Sequence, residues 1–112
     1  MLGSKAIHSD FDPLFQLAEW HSQGKRVALA TVVSTWGSSP RPVGSYLAVT
    51  EDGDFSGSVS GGCIEGAVVE EAVQVITKGN PKMLEYGVTD NLAWEIGLAC
   101  GGRIKIYVEP VA

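Results

Sequence analysis

The stretch Arg26-Val-Ala-Leu-Ala-Thr-Val-Val-Ser34 decides how the rest of the chain folds. It is almost continuously apolar and rich in β-branched residues, a composition typical of a central strand that is covered on both faces. The segment Trp36-Gly-Ser-Ser-Pro-Arg-Pro-Val-Gly44 follows it, and its two prolines cannot continue the strand. The sequence therefore predicts a central strand at residues 26–34 that leads into an ordered loop.

Two amphipathic helices are predicted, one on each side of this strand in the sequence. The first follows the capping candidates Asp10-Phe-Asp-Pro13 and ends near Gly24. The second begins near Ile64 and ends at Gly79-Asn80-Pro81, a glycine and proline stop signal. Both have apolar residues at helical spacing, which are Leu14, Leu17, Ala18 and His21 in the first and Ile64, Ala67, Val68, Ala72, Val75 and Ile76 in the second.

Further strands are predicted around these helices. A β-hairpin is expected from Ser45–Thr50 and Phe55–Val59, since the Glu51-Asp-Gly-Asp54 turn between them contains an Asp-Gly pair. A short strand at residues 82–86 and an alternating strand at residues 103–109, ended by Pro110, are expected later, with a short helical segment at residues 89–96 between them. This order predicts an α/β fold: a single compact domain with a mixed β-sheet and about two main helices.

Composition limits the classes of protein to consider. A chain of 112 residues is sized for one domain, and we take residues 1–112 as that domain, with a weakly ordered start at residues 1–10. Eight basic against 13 acidic residues give a net charge of −5, which argues against a nucleic acid or an anionic membrane as the partner. The chain shows neither a secretory signal nor an apolar run of the ~20 residues that span a bilayer, so we expect a cytoplasmic protein with reduced thiols.

The segment Gly57-Ser-Val-Ser-Gly-Gly-Cys-Ile-Glu-Gly66 places a thiol where a glycine-rich turn enters the second helix. Backbone donors at such a helix start favour an anion and lower the pKa of a cysteine. The alternative is a simple tight turn in which Cys63 fills space as a small apolar residue. Glu65 lies in the first helical turn, where a carboxylate is favoured by the helix dipole, and a structural role is the default expectation for it.

The chain has a second cysteine, Cys100, which is followed by Gly101 and Gly102. Two glycine-associated cysteines suggest a shared site, since loops at one edge of a sheet often converge on a ligand. Two unrelated structural turns, or a reversible disulfide in a thiol redox protein, remain open as alternatives. A zinc site is a poor fit, because two cysteines and two histidines lack the close paired spacing that structural zinc requires.

Arg41 stands between Pro40 and Pro42, which restrict the backbone on both sides. Its forked donors suit a phosphate or a carboxylate, although an arginine that pairs with a local acid or with water is as common. A small hydrolase or an anion-binding module with Arg41 as the clamp is therefore a further alternative.

Three segments together resemble the amino-terminal domain of the XdhC/CoxI family. They are Ser34-Thr-Trp-Gly-Ser-Ser-Pro-Arg-Pro-Val-Gly44, Gly57-Ser-Val-Ser-Gly-Gly-Cys-Ile-Glu-Gly66 and Gly97-Leu-Ala-Cys-Gly-Gly102, and we refer to them as the three motif segments. The likeness runs from about Pro13 to Pro110. Many relatives continue into a Rossmann-like second domain, which we expect to be absent from these 112 residues, so no nicotinamide-linked activity is carried over.

The resemblance implies a maturation factor for molybdenum hydroxylases such as xanthine dehydrogenase and carbon monoxide dehydrogenase. Such a protein binds molybdenum cofactor (molybdopterin) transiently, assists its sulfuration with a cysteine desulfurase and delivers it to the hydroxylase apoenzyme. We expect a carrier that forms a homo-oligomer, rather than an enzyme with catalytic residues of its own.

The resemblance also implies which residues bind the cofactor. The motif positions are Arg41, Ser60, Gly61, Gly62, Cys63, Cys100 and Gly101. Our hypothesis is that Arg41 and the turn from Gly57 to Cys63 hold the phosphate or another oxyanion of the cofactor. Cys63 and Cys100 would then lie near the molybdenum and its sulfur ligands, because soft thiolates suit that neighbourhood.

Overall fold

The computed structural model describes residues 12–36, 42–60, 64–86 and 103–111. In this part of the chain, five strands form one sheet and two helices pack against it. The helices are α1 (Pro13–Ser22) and α2 (Glu65–Lys78), and the strands are β1 (Val27–Trp36), β2 (Tyr46–Thr50), β3 (Phe55–Gly57), β4 (Lys82–Tyr86) and β5 (Arg103–Val111). The strand order is β3-β2-β1-β5-β4, so the apolar strand β1 lies in the centre.

Helix α2 covers one face of the sheet and builds the larger core. It packs against β5, β1 and β2. Its apolar residues Val68, Ala72, Val75 and Ile76 meet the inward side chains of these strands, among them Val32, Leu47 and Ile106. Gly79 ends the helix with a positive φ of 78°, the left-handed conformation that the glycine and proline stop signal predicts. The second helix that the spacing of apolar residues predicts is therefore confirmed, and these residues form its contact with the sheet.

Helix α1 covers part of the opposite face and packs mainly on β2 and β1. A smaller core forms there from Leu17, Val27 and Ala48, with Trp20 and Leu29 packed against it. Asp12 is the N-cap, since its side chain accepts a hydrogen bond from the N–H of Phe15 at 3.2 Å. Proline in the first turn and an acidic cap at the preceding residue give the helix start that the sequence predicts.

The α/β class and the two main helices are confirmed, while the strand directions differ from the expectation. All strand pairs in the described residues are antiparallel, so these residues do not form the mixed sheet that we expected. The reason is the path of α2, which joins β3 at one edge to β4 at the other. A helical connection that crosses the whole sheet leaves its two strands without contact, so no parallel pair forms.

Strand β5 runs past Pro110, which we expected to end it. Pro110 lies opposite Ala28 in the pairing with β1. The pairing of β5 with β4 starts only at Val108, opposite Lys82, so no described strand lies on that side of Pro110. Proline lacks an N–H donor and is tolerated where one side of a strand is not paired.

Two expectations concern residues that the structure does not describe. These are the weakly ordered start at residues 1–10 and the short helical segment at residues 89–96, which lie outside the described residues. Within the described ranges, no helix is long and apolar enough to cross a membrane.

Among the glycines that the structure describes, Gly57 should be the one whose replacement the fold tolerates least. Its φ is +99°, and an added Cβ would overlap the Tyr46 carbonyl oxygen and lie 2.9 Å from Cβ of Pro13. Gly53 is a matched control, because its φ is +91° and a Cβ there would meet nothing within 4 Å. We predict that Gly53→Ala costs roughly 1–2 kcal/mol of unfolding free energy through backbone strain alone. Gly57→Ala should cost at least about 2 kcal/mol more, through overlap.

Urea denaturation of the two variants measures this difference. Equal losses of stability would show that the contact between the start of α1 and the end of β3 is not tight in solution.

Candidate functional site

The three motif segments adjoin one end of the sheet. Strands β1, β3 and β4 end there, and strands β2 and β5 begin there, as the register shows by pairing Trp36 with Arg103 and Tyr86 with Ile104. Three connections leave from this end, at residues 37–45, 58–64 and 87–102. Each of them contains the central part of one motif segment. The topology therefore brings the ends of all three connections to the same side of the molecule, which we call the motif end.

A cavity of about 510 Å³ opens at the motif end. Its walls are residues 12–14 at the start of α1, residues 42–46 before and at the start of β2, and residues 57–58 at the end of β3. The second wall follows Arg41 directly in the sequence, and the third wall is the beginning of the glycine-rich turn. The apolar residues Leu14 and Val43 belong to this lining and are 40% and 58% exposed.

The carboxylate of Glu65 organises the glycine-rich turn. Its Oε2 accepts hydrogen bonds from the Ser58 hydroxyl at 2.7 Å and from the N–H groups of Val59 and Ser60, both at 2.9 Å. Its Oε1 accepts the Ser60 hydroxyl at 2.5 Å. Only 8% of Glu65 is exposed. Four donors from three consecutive residues thus converge on one buried side chain.

Ser60 and Glu65 connect the two sides of the turn through reciprocal hydrogen bonds. The Ser60 hydroxyl oxygen accepts the N–H of Ile64 at 2.9 Å, while Glu65 reaches back to the hydroxyl and N–H of Ser60. The arrangement resembles a capping box, in which a side-chain hydroxyl and a side-chain carboxylate each accept a hydrogen bond from a backbone N–H at the other's side of the turn. It joins the described residues on either side of positions 61–63.

These hydrogen bonds keep Glu65 ionised. Burial raises the pKa of the Glu65 carboxyl, but the hydroxyls of Ser60 and Ser58 and the N–H groups of Ser60 and Val59 lower it by more. The pKa therefore falls from its ordinary value of 4.5 to about 2. A carboxylate in this state can only accept hydrogen bonds, so the four groups around it must be the donors.

Tyr86 ends β4 at the motif end and stays protonated. Burial raises its pKa from 10 to about 12, and the negative charges of Glu71 and Glu70 add to this rise. The phenol is 8% exposed and belongs to the core under α2. It is part of the packing at this end rather than a nucleophile.

Of the predicted site residues, the structure describes Ser60. Ser60 is 1% exposed, and its N–H and hydroxyl groups are bound to Glu65. Arg41, Gly61, Gly62, Cys63, Cys100 and Gly101 lie outside the described residues. Among the residues that are described, no group of three His, Cys, Asp or Glu side chains could hold a metal ion.

Four residues at the motif end were not among the predicted cofactor-binding residues. Asp12 and Ser58 line the cavity, Glu65 holds Ser58, and Arg103 begins β5 at the motif end. The spacing of Ser58 and Ser60 before Glu65 was a usable signal, because a carboxylate in a first helical turn often binds the donors that precede it. No sequence signal places Asp12 and Ser58 in the lining of the same cavity, since this arrangement arises from the packing of α1 on the sheet.

The chain is similar in sequence to one family model and to several known proteins. The sequence model of the XdhC and CoxI family matches residues 20–87. A molybdenum cofactor insertion chaperone, PaoD from Escherichia coli (strain K12), is 39% identical over 87 residues, which are 77% of this chain and 27% of that protein. A probable xanthine dehydrogenase subunit from Bacillus subtilis (strain 168) is 28% identical over 107 residues, which are 94% of this chain and 31% of that protein.

A solved structure shows the same fold. The crystal structure of a xanthine dehydrogenase from Bacillus halodurans superimposes with a TM-score of 0.73 at 31% sequence identity. The match covers 88% of this chain and 30% of that chain. This chain thus spans about a third or less of the length of the proteins it matches.

The low pKa of Glu65 predicts how stability depends on pH. Because the pKa is about 2 in the folded protein and near 4.5 when unfolded, the ionised carboxylate stabilises the fold above pH 4.5. This contribution is lost as the pH falls towards 2. We expect Glu65→Gln to lower the unfolding free energy by roughly 3 kcal/mol at pH 7. The difference from the wild type should shrink as the pH falls.

Urea denaturation from pH 7 to pH 2.5 tests this, with Glu70→Gln on the exposed side of the same helix as the control. A gap between wild type and Glu65→Gln that stays constant with pH would show that Glu65 is not held ionised by the turn.

Proposed function

We propose, from the premise that this chain belongs to the XdhC and CoxI family, that it carries molybdenum cofactor and hands it to a molybdenum hydroxylase. The observation that carries the proposal is the motif end, where the ends of three motif-bearing connections and a cavity lie together. A carrier needs one protected site to which separate parts of its sequence contribute. The name of the related insertion chaperone supports the same role.

The cavity fits a cargo of this kind. Its volume of about 510 Å³ lies in the range of roughly 300–1,000 Å³ typical of small-molecule sites. Apolar walls from Pro13, Leu14, Pro42 and Val43 suit a flat ring, and polar groups from Asp12 and Ser58 can orient it. Such a mixture of apolar surface and a few placed polar groups is what a cofactor site requires.

The finer roles extend this proposal to residues beyond the described ranges. Arg41 holds an oxyanion of the cofactor, helped by Gly61, Gly62 and Gly101 around it. Cys63 and Cys100 lie near the molybdenum and its sulfur ligands, where soft thiolates are preferred. Ser60 serves the site indirectly, because its donors are bound to Glu65 and hold the turn in place.

The wider setting is a maturation pathway. The carrier acts in the cytoplasm as a homo-oligomer, receives or presents the cofactor for sulfuration by a cysteine desulfurase, and docks with a xanthine dehydrogenase or carbon monoxide dehydrogenase type of apoenzyme. Because the cargo must be passed on, its affinity should be moderate rather than extreme. The hydrogen bonds from residues 58–60 to Glu65 help here, since a preformed wall loses little entropy when the cargo binds.

The most direct test is to purify the protein anaerobically from cells that make molybdenum cofactor. Elemental analysis should find molybdenum, and fluorescence after oxidation should find a pterin in equal amount. The carrier role would be wrong if the purified protein contained neither molybdenum nor a pterin. Hydrolysis of phosphoesters, or a reversible disulfide between its two cysteines, would then indicate the function instead.

The two cysteines provide a second test. We predict that Cys63→Ser combined with Cys100→Ser lowers the molybdenum retained per protein by at least about tenfold, since a hydroxyl is a poor substitute for a soft thiolate. The unfolding midpoint in urea should change little. Met83→Ser is the control, because it removes another sulfur atom from an exposed position on β4 outside the motif segments. Unchanged retention and unchanged activation of the hydroxylase in the double variant would remove the thiols from the mechanism.

A further inference from the structure

Strands β4 and β5 have a second face on the side of the sheet away from α2. Leu84 of β4 and Ile106 of β5 belong to the core under α2. Because side chains alternate along a strand, the residues on either side of these two point to the opposite face. We call these four residues the outer patch, and they are Met83, Glu85, Lys105 and Tyr107.

The outer patch is an accessible part of the sheet. Helix α1 lies on the same side, but it packs mainly on β2, β1 and β3 and reaches β5 at Val111. Met83 is 52% exposed, and the side chains of Glu85 and Lys105 are 39% and 37% exposed. Val33 of the central strand, 38% exposed, adjoins the patch where the pairing of β1 with β5 shifts register.

The outer patch consists of two rows of complementary side chains. In the first row Glu85 lies opposite Lys105, and Oε2 of Glu85 is 3.9 Å from Nζ of Lys105. In the second row Met83 lies opposite Tyr107. Each row therefore has unlike partners at the same height on neighbouring strands. A copy of the patch that is turned over about a line between β4 and β5 matches the original row by row.

The position of α1 selects the direction of this two-fold axis. An axis that runs across the strands would keep both α1 helices on the same side, where each would overlap the sheet of the other copy. An axis that runs along the strands moves α1 of the second copy to the other side, where it lies beside β4 of the first. Strand β5 of one copy then faces β4 of the other, so Lys105 meets Glu85 and Tyr107 meets Met83.

We infer that the outer patch is the interface of a homodimer of this chain. The inference rests on the homo-oligomer in the proposed function and deepens it, because it names the surface through which two copies meet. Packed sheets lie about 10 Å apart, a distance that these side chains span from both sides. Thioether–aromatic contacts between the copies contribute affinity, and the two charge pairs fix the alignment. The surface is self-complementary, as a two-fold interface requires.

Charge reversals test the contact between the copies directly. A patch two strands wide is small for an interface, so sedimentation of the full chain should show a monomer–dimer equilibrium with a micromolar dissociation constant. Glu85→Lys and Lys105→Glu each place like charges over one another in the homodimer. Each should raise the dissociation constant at least about tenfold.

An equimolar mixture of the two variants is the decisive sample. Both patch positions are basic in Glu85→Lys and acidic in Lys105→Glu, so a heterodimer of the two should form about as tightly as the wild-type dimer. The pair within each copy stays broken in the mixture. Recovery therefore measures the contact between copies and not the stability of either fold. Glu70→Lys on the exposed side of α2 is the matched control and should associate like the wild type.

Four outcomes would overturn the inference: a wild-type chain that stays monomeric at millimolar concentration, single reversals that associate like the wild type, a mixture that does not recover, or an equal loss in Glu70→Lys. A monomer that binds the hydroxylase and loses this binding in Glu85→Lys would also overturn it, because the patch would then belong to the client enzyme. The outer patch lies outside the lining of the cavity, so association and copurified cofactor are separate readouts. Copurified cofactor in a monomeric protein would overturn the interface and keep the carrier role, whereas the expected dimer without cofactor would overturn the carrier role alone.

Discussion

The contact between Glu65 and the residues before it supports the whole motif end. One carboxylate, 8% exposed, accepts four hydrogen bonds from Ser58, Val59 and Ser60. Burying a charge is costly unless its acceptor positions are filled, and here each oxygen has at least one donor. The same bonds fix the end of β3, the start of α2 and one wall of the cavity. Without the carboxylate, four donors at this turn would lose their partner.

A second contact ties this turn to the other helix. Gly57 has a positive φ and lies so close to Pro13 and to the Tyr46 carbonyl that no side chain fits. The first turn of α1 is therefore held against the end of β3, immediately before Ser58. Because Asp12 precedes Pro13, this packing also sets the position of the charged group in the cavity. Two local constraints, a missing side chain and a buried charge, thus shape a site to which three separate parts of the chain contribute.

The elements of the fold could be predicted from the sequence because their signals are local. Helical spacing with a glycine stop gave α2, a capping residue before proline gave α1, and the Asp-Gly pair gave the hairpin. The hairpin pair apart, the antiparallel arrangement of the whole sheet could not be predicted, since it depends on α2 crossing the entire sheet, and periodicity carries no information about strand order. The prediction that Pro110 ends β5 was wrong for a related reason. Whether a strand tolerates a proline depends on which of its sides is paired, and here that is decided by where β4 begins to pair with β5.

The candidate site was predictable only in part, and the limit is physical. The glycine-rich turn indicated convergent backbone donors, and the structure has such donors at Val59 and Ser60. Sequence reasoning expected an external anion to accept them, whereas the acceptor is Glu65, five residues beyond Ser60 in the same motif. Whether a carboxylate reaches back to a turn depends on the path of the chain between them, which composition and spacing do not specify.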